Sequence, residues 1–227
     1  MKKIYFVRHG VTEGNDSNQF QLHTIPLSEK GVRQANLIAE RLIDDKIMID
    51  VVIASSMTRA SQTAGIIAKK RGLKVIESKL YEEIKRPSIV RGKSKADKEV
   101  KAIMVEIKAN FANPNWKHSD EENYFLLRER AENALKFILD REEENILIVT
   151  HGSFLKMMLG VIVFNDKITP EIFKRMDYMF GTSNTGISLV EYNDLGWYVK
   201  TWNDYTHLGE ADLENVFLTE IKRKLKL

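Results

Sequence analysis

Two histidines and two arginines follow short apolar segments, at places where a chain that alternates strands and helices would bring them together. Arg8 and His9 follow the first such segment, Arg59 follows the second and His151 follows the fourth. An arginine is planar and permanently charged, so two of them can grip the oxygens of a phosphoryl group and neutralise its charge. The four side chains therefore indicate chemistry on a phosphorylated compound.

The two histidines and a nearby carboxyl group could supply the reacting groups. A histidine with an ordinary pKa of about 6.5 is largely neutral at pH 7, so one ring nitrogen has a lone pair that can attack phosphorus. A second histidine can donate a hydrogen bond to oxygens that gain charge in the transition state. A carboxylic acid must then protonate the leaving oxygen, because an alkoxide leaves poorly. Glu82 and Glu83, which follow the third apolar segment, are the candidates for that acid.

The elements that must position these residues alternate between strand and helix. Four apolar segments are typical of buried parallel strands: residues 4–7, 51–54, 73–76 and 146–149. Apolar residues at helical spacing predict helices over residues 32–42, 58–70 and 153–161, and Gly72 predicts the C-cap of the second. In sheets of this kind ligands bind at the carboxyl ends of the strands. The sequence therefore predicts that the histidines and arginines meet at one edge of the sheet.

The remaining segments complete one α/β domain over residues 1–227. Residues from about 82 to 143 are charge-rich and helical in period, with irregular stretches at 85–93 and 112–119, and are expected to form a helical insertion. Further along, the pattern predicts a helix over 170–180, a hairpin of strands 187–192 and 197–200, and a helix from Ala211. The predicted class is doubly wound α/β.

Composition excludes several classes of protein and site. The chain has 35 basic and 32 acidic residues, for a formal net charge of +3. This balance is too even to indicate binding to nucleic acid. The absence of cysteine excludes disulfides and thiolate catalysis. The apolar run at residues 4–7 is too short for an export signal, and no stretch reaches the roughly 20 apolar residues of a membrane span. We therefore expect a cytoplasmic protein that does not enter a membrane.

Four motifs resemble the histidine phosphatase superfamily, which is also called the phosphoglycerate mutase-like family. They occur in the order of that family, and the resemblance spans residues 4 to about 193. The motifs are Arg8-His9-Gly10-Val11-Thr12-Glu13-Gly14-Asn15, Pro26-Leu27-Ser28-Glu29-Lys30-Gly31, Ser55-Ser56-Met57-Thr58-Arg59-Ala60, and Val149-Thr150-His151-Gly152. The resemblance implies a three-layer αβα fold with a mostly parallel, mixed six-stranded sheet.

The resemblance also implies a role for each motif residue. His9 matches the phosphorylated nucleophile, and Glu82 matches the proton donor of the family's Leu-x-Glu motif, with Glu83 as the rival for that role. The phosphate pocket would comprise Arg8, Asn15, Arg59, His151 and Gly152. On this scheme His9 attacks phosphorus, the glutamic acid protonates the departing alcohol, and water then hydrolyses the phosphohistidine. Because His9 must be neutral and the acid protonated, we expect an acidic to near-neutral optimum.

The chain departs from the family pattern where substrate specificity would be set. Many relatives carry Phe-Gly-x-Trp-Glu-Gly soon after the proton donor, and this chain has residues 84–93 of a different type there. It also lacks the Arg-Arg and Pro-Pro stretch of cofactor-dependent mutases. We therefore predict a phosphatase acting on a small-molecule phosphomonoester. Two alternatives stay open: a phosphoglycerate-type mutase, and a non-catalytic module that binds a phosphorylated ligand.

Further residues are secondary candidates for the site. Arg86 and Arg91 lie in a cationic segment, residues 85–95, which could contact a second anionic group of the substrate or could be solvated. His23 lies in the loop that follows the first motif. No cluster has metal-ligand spacing, so no metal or cofactor is predicted. The expected partner is the small phosphorylated substrate, and a monomer or a homodimer is compatible with the sequence.

Overall fold

A central six-stranded sheet organises the computed structural model, which describes residues 1–16 and 18–209. The predicted helix from Ala211 lies outside these residues. The strands run in the spatial order β3-β2-β4-β1-β5-β6, the first four parallel and the last two antiparallel to their neighbours. Their bounds are β1 (Lys2–Arg8), β2 (Val51–Ser55), β3 (Val75–Ser78), β4 (Asn145–Thr150), β5 (Ile187–Asn193) and β6 (Gly196–Asp204). The mixed, mostly parallel sheet implied by the family resemblance is confirmed.

Helices cover both faces of the sheet. Their bounds are α1 (Glu13–Asp16), α2 (Glu29–Asp44), α3 (Thr58–Arg71), α4 (Lys98–Asn110), α5 (Tyr124–Leu139), α6 (Gly152–Phe164) and α7 (Pro170–Met179). Short 3₁₀ turns occupy Lys79–Tyr81, Ser88–Val90 and Asn165–Lys167. Ser28 begins α2 by accepting a hydrogen bond from the Gly31 amide, and Gly72 ends α3 in the left-handed region, at φ 66°.

Side chains alternate across the strands and so form two separate cores. In β1, Ile4 and Phe6 pack into the core beneath α5 and α6, whereas Tyr5 and Val7 pack into the core beneath α2 and α3. The neighbouring strand β4 divides its residues between the same two cores. The result is the three-layer αβα arrangement. Within residues 1–16 and 18–209, no helix is both long and apolar enough to cross a bilayer.

The predicted helical insertion contains two helices with different roles. The apolar face of α5, including Leu127, Ala131 and Ile138, is buried in the main core. By contrast, α4 buries Val100, Ile103 and Ile107 in a small cluster of its own. Thus α5 is an integral layer of the sandwich, and α4 with its flanking loops stands beside it.

The third strand begins two residues later than the sequence predicts. Leu73 donates its amide to the carbonyl of Ala68 directly after the Gly72 cap, so the chain is still bonded to the end of α3 at residue 73. The strand then runs over Val75–Ser78 and leads into the turn that carries Glu82 and Glu83.

Candidate active site

The carboxyl ends of β2, β4 and β1 lie side by side, so the loops that follow them share one edge of the sheet. Arg8 pairs with Thr150 in the register of β1 and β4, which brings the next residues, His9 and His151, next to each other. Their ring centroids are 5.0 Å apart. This is the arrangement that the strand pattern predicts.

One ring nitrogen of His9 carries a lone pair, and the other donates a hydrogen bond. Its Nδ1 lies 2.7 Å from the carbonyl oxygen of Gly10, and because a carbonyl can only accept, Nδ1 carries the proton. The lone pair therefore lies on Nε2, which accepts a hydrogen bond from Nε of Arg59 at 3.2 Å. Burial, followed by the charges of Arg59 and Arg8, lowers the pKa of His9 well below 6.5. The imidazole is therefore neutral across the physiological pH range.

The two arginines are fixed by main-chain oxygens around His9. Arg59 lies in the first turn of α3, is 4% exposed, and donates Nη1 to the carbonyl of Leu22 at 3.2 Å. Burial lowers the pKa of Arg59 to about 10, so its guanidinium stays charged at neutral pH. Arg8 donates Nη1 to the carbonyl of Thr182. Two cations therefore converge on His9, an arrangement that can bind an anionic phosphoryl group.

His151 lies at the N-cap of α6 and is fully buried. Its Nε2 lies 2.8 Å from the hydroxyl of Ser55. Its Nδ1 is buried and has no hydrogen-bond partner within the described residues. Burial, and then the charge of Arg59, lowers the pKa of His151 well below 6.5.

Glu82 contacts His23 and Ser56, and Ser56 directly follows the serine that lies against His151. Its Oε1 accepts hydrogen bonds from the hydroxyl of Ser56 and from Nε2 of His23, the latter at 3.1 Å. Burial would raise the pKa of Glu82, but the hydrogen bonds from Ser56 and His23 outweigh it, so the pKa is lowered. The structure thus brings His23 to the predicted acid, a pairing that sequence spacing does not reveal.

Glu83 faces the first turn of α6. Its carboxylate accepts the amides of Ser153 at 3.2 Å and Phe154 at 3.0 Å, and also that of its neighbour Ile84 at 2.9 Å. The first two amides lie within three residues of His151 along the chain. The charges of Glu83 and Glu82 both raise the pKa of Arg59, against the larger effect of its burial.

The other predicted residues occupy different positions around this edge. Asn15 lies in α1. Gly152 is the first residue of α6, where a Cβ would lie 3.0 Å from Oγ1 of Thr182. The Arg91 guanidinium donates to the carbonyl of Arg86 and approaches Asp120 at 3.4 Å. The Arg91 guanidinium thus contacts residues of the insertion.

The cationic segment adjoins the loop that leads to His23. Gly92 donates to the carbonyl of Phe20 at 2.7 Å, and Phe20 donates to that of Lys93 at 3.1 Å. These bonds link residues 85–95 to the chain between the first motif and His23. Within the described residues, no group of three His, Asp or Glu side chains is arranged to hold a metal ion.

A loop before β5 contributes contacts that the sequence analysis did not identify. Asn184 donates its side-chain amide to the carbonyl of His9 at 2.8 Å, and Thr182 holds Arg8. The available signal was a run of small polar residues, Gly181-Thr182-Ser183-Asn184-Thr185-Gly186, directly before a predicted strand. Such a run predicts a loop but does not predict which strand end the loop contacts.

Comparisons with known proteins match almost the whole chain. A sequence model of the histidine phosphatase superfamily (branch 1) matches residues 4–205. The probable phosphoglycerate mutase GpmB of Serratia proteamaculans is 29% identical over 227 residues, covering 95% of this chain and 99% of that protein. The corresponding protein of Cronobacter sakazakii is 30% identical over 223 residues, with the same coverage.

Solved structures share the fold at lower sequence identity. A mutant phosphoserine phosphatase from Entamoeba histolytica, in complex with phosphoserine, is 21% identical with a TM-score of 0.72, covering 92% of this chain and 100% of that one. The alpha-ribazole phosphatase of Shigella flexneri is 21% identical with a TM-score of 0.73, covering 89% of this chain and 96% of that one.

Proposed function

The chain belongs to the histidine phosphatase superfamily, and on that premise we propose that it hydrolyses a small-molecule phosphomonoester through a phosphohistidine at His9. The observation that carries the proposal is the hydrogen bonding of His9. A proton fixed on Nδ1 by the Gly10 carbonyl leaves the Nε2 lone pair directed at the Arg59 guanidinium. An anionic phosphoryl group attracted to Arg59 and Arg8 therefore arrives at the nucleophilic nitrogen.

In the first step Nε2 of His9 attacks phosphorus while the bond from phosphorus to the alcohol oxygen breaks. Arg8 and Arg59 neutralise the charge on the phosphoryl oxygens, and His151 offers a further polar contact. A carboxylic acid gives its proton to the departing alkoxide. In the second step water attacks phosphorus while the bond from phosphorus to Nε2 breaks, the same carboxylate accepts a proton from the water, and inorganic phosphate and free His9 result.

The position of Glu83 beside α6 favours it as this acid, although the Leu-x-Glu pattern favours Glu82. Glu83 lies at the first turn of α6, whose N-cap is His151, although the amides that it accepts there stabilise its ionised form. Glu82 instead contacts His23 and Ser56. We therefore assign proton transfer to Glu83 and a supporting contact near the leaving group to Glu82.

A phosphoglycerate-type mutase is the second candidate function. The relatives named probable phosphoglycerate mutase GpmB, which align along nearly their whole length, favour it. A mutase would use the same pocket and the same phosphohistidine but would return the phosphoryl group to a substrate hydroxyl instead of water. The two functions therefore differ in the acceptor and not in the residues around His9.

The experiment that tests the proposal is phosphate release from a panel of phosphomonoesters, measured with EDTA present. We expect release by the wild type, none by His9→Ala, and unchanged release by the control His118→Ala, since His118 contacts Glu106 on α4, away from His9. Release by His9→Ala at the wild-type rate would contradict the proposal. Phosphorylation of His9 by a bisphosphoglycerate without phosphate release would favour the mutase, and neither reaction would favour a binding module.

A further inference from the structure

The loop of residues 181–186, here called the clamp loop, forms hydrogen bonds with the main chain of Arg8 and His9 at the end of β1. The amide of Thr185 donates to the carbonyl of Arg8 at 2.8 Å, and the amide of Arg8 donates to the carbonyl of Gly186 at 3.3 Å. The side chain of Asn184 donates to the carbonyl of His9 at 2.8 Å. The end of β1 is therefore bound at two consecutive residues by a loop far away in sequence.

The backbone of the clamp loop is strained where it makes these contacts. Thr185 is fully buried and has φ 57°, a conformation that a β-branched residue rarely adopts. Such strain persists only where the surroundings impose it, and it concentrates at functional sites. Here Oγ1 of Thr185 bonds Nε2 of His207 at 2.9 Å and the carbonyl of Asn184 at 2.7 Å.

A second residue with a positive φ supports the loop from β6. Asn203 has φ 53°, accepts the amide of Ser183 at 2.6 Å and donates to the Ser183 hydroxyl at 3.2 Å. The main-chain amide of Asn203 donates to the hydroxyl of Ser188 at 3.0 Å. A Cβ at Gly186 would overlap the Asn203 side chain, so only glycine allows this approach. Hydrogen bonds within the protein thus hold the loop in place.

We propose that Asn184 is a positioning residue, which sets the place and tilt of the His9 imidazole by holding the His9 carbonyl. This proposal rests on the proposed function, because it concerns the attack by His9. Asn184 bonds the main-chain carbonyl of His9 and so fixes the position of its imidazole. The phosphoryl oxygens would be bound by the arginines and not by Asn184. Loss of the Asn184 hydrogen bond should therefore impair attack on phosphorus far more than it impairs binding of phosphate.

The test replaces Asn184 by aspartate, which has the same shape but donates no hydrogen bond when ionised. A displacement of reacting groups by about 1 Å can lower the rate about 100-fold, so we expect kcat to fall by about 10-fold to 100-fold with KM changed less than about twofold. Orthovanadate, which binds like the five-coordinate transition state, should bind more weakly by a similar factor. Inorganic phosphate should lose less affinity than orthovanadate, because the added negative charge repels both anions but only orthovanadate depends on the position of His9.

A pH profile and a matched control complete the test. Once protonated at low pH, the introduced aspartate side chain can again donate to the His9 carbonyl, so the activity of Asn184→Asp relative to wild type should recover as the pH falls. The control Asn36→Asp removes an amide that donates to the Val32 carbonyl at 2.9 Å within α2, and it should change neither inhibitor constant. Should the aspartate variant fail to fold, Asn184→Ala, which introduces no charge, takes its place with the two inhibitors.

Three results would overturn the proposal: an unchanged kcat, an equal loss of vanadate and phosphate affinity, or a loss of activity that only follows a loss of thermal stability. These outcomes leave the proposed function intact if His9→Ala is still inactive. Conversely, full activity in His9→Ala would remove the proposed function itself.

Discussion

At the scale of single residues, burial and the neighbouring arginines keep His9 and His151 neutral. His9 and His151 are both buried beside Arg59, and both have a pKa well below 6.5. A neutral His9 keeps its Nε2 lone pair, while the arginines keep the charge that attracts phosphate. In the proposed mechanism, the arginines that would bind the substrate therefore also keep His9 in its nucleophilic form.

The first prediction concerns the pH dependence of the reaction. Because the pKa of His9 in the folded enzyme lies well below 6.5, kcat/KM should not fall as the pH drops from about 6.5 to about 5. At high pH the rate should fall, because the acid that protonates the leaving group is then ionised. A pH–rate profile of kcat/KM checks both statements. An acidic limb centred at about 6.5, or a rate that still rises above about pH 9, would be inconsistent with this chemistry.

The second prediction separates the two glutamates. Glu83→Gln should lower kcat/KM for an alkyl phosphate by about 10²-fold to 10⁴-fold, the usual contribution of a general acid. It should affect p-nitrophenyl phosphate much less, because that leaving group departs without a proton. Glu82→Gln should have a smaller effect that is similar for both substrates. If Glu82→Gln shows the leaving-group dependence instead, Glu82 is the acid, as the Leu-x-Glu pattern predicts.

At the scale of elements, the first turn of α2 packs directly against the loop that follows His9. Ser28, the N-cap of α2, donates its amide to the carbonyl of Val11 at 3.0 Å. A Cβ at Gly31 would overlap that same carbonyl oxygen. The close contact between α2 and the loop therefore depends on glycine at position 31.

The third prediction compares two glycine substitutions. Gly31→Ala should displace the loop at residues 10–11 and lower both the free energy of unfolding and kcat. Gly65→Ala is the matched control, because Gly65 lies inside α3 with nothing near its absent Cβ. That change should raise the free energy of unfolding by about 0.5–1 kcal/mol, through the better helix propensity of alanine. Urea unfolding and steady-state kinetics measure both, and equal effects of the two variants would disprove the contact.

Elements that depend on local pattern were predictable, and those that depend on distant contacts were not. Apolar runs predicted β1, β2 and β4 because buried parallel strands need them, and the carboxyl-end rule then grouped His9, Arg59 and His151. The strand β3 begins later than predicted because Leu73 still bonds the end of α3 after the cap at Gly72. The apolar pattern does not show that hydrogen bond. The contact of Asn184 with His9 joins residues far apart along the chain, so no spacing indicates it.

At the scale of the whole molecule, buried neutral histidines link stability to pH. Burial lowers the pKa of His207 to about 4, and it also lowers the pKa values of His9 and His151. In the unfolded chain these side chains bind protons below about pH 6.5, whereas in the folded protein they do not. Acidification therefore favours the unfolded state throughout the window from about 6.5 down to the folded pKa values.

The fourth prediction is a fall in the free energy of unfolding as the pH drops from about 7 to about 5. Each buried histidine should contribute up to about 1.4 kcal/mol per pH unit below about 6.5. Urea unfolding at several pH values measures the slope, and His151→Asn, which cannot titrate, should reduce it. A stability that is constant or rises on acidification would contradict the burial of neutral histidines.

The central claim is a covalent phosphohistidine at His9, and trapping it is the most direct test. The enzyme is mixed rapidly with ³²P-labelled substrate, quenched in alkali and mapped by mass spectrometry. The account predicts a label that is stable in alkali, labile in acid, located on His9 and absent from His9→Ala. A label on another residue, or turnover at full rate with no labelled protein at any mixing time, would contradict it.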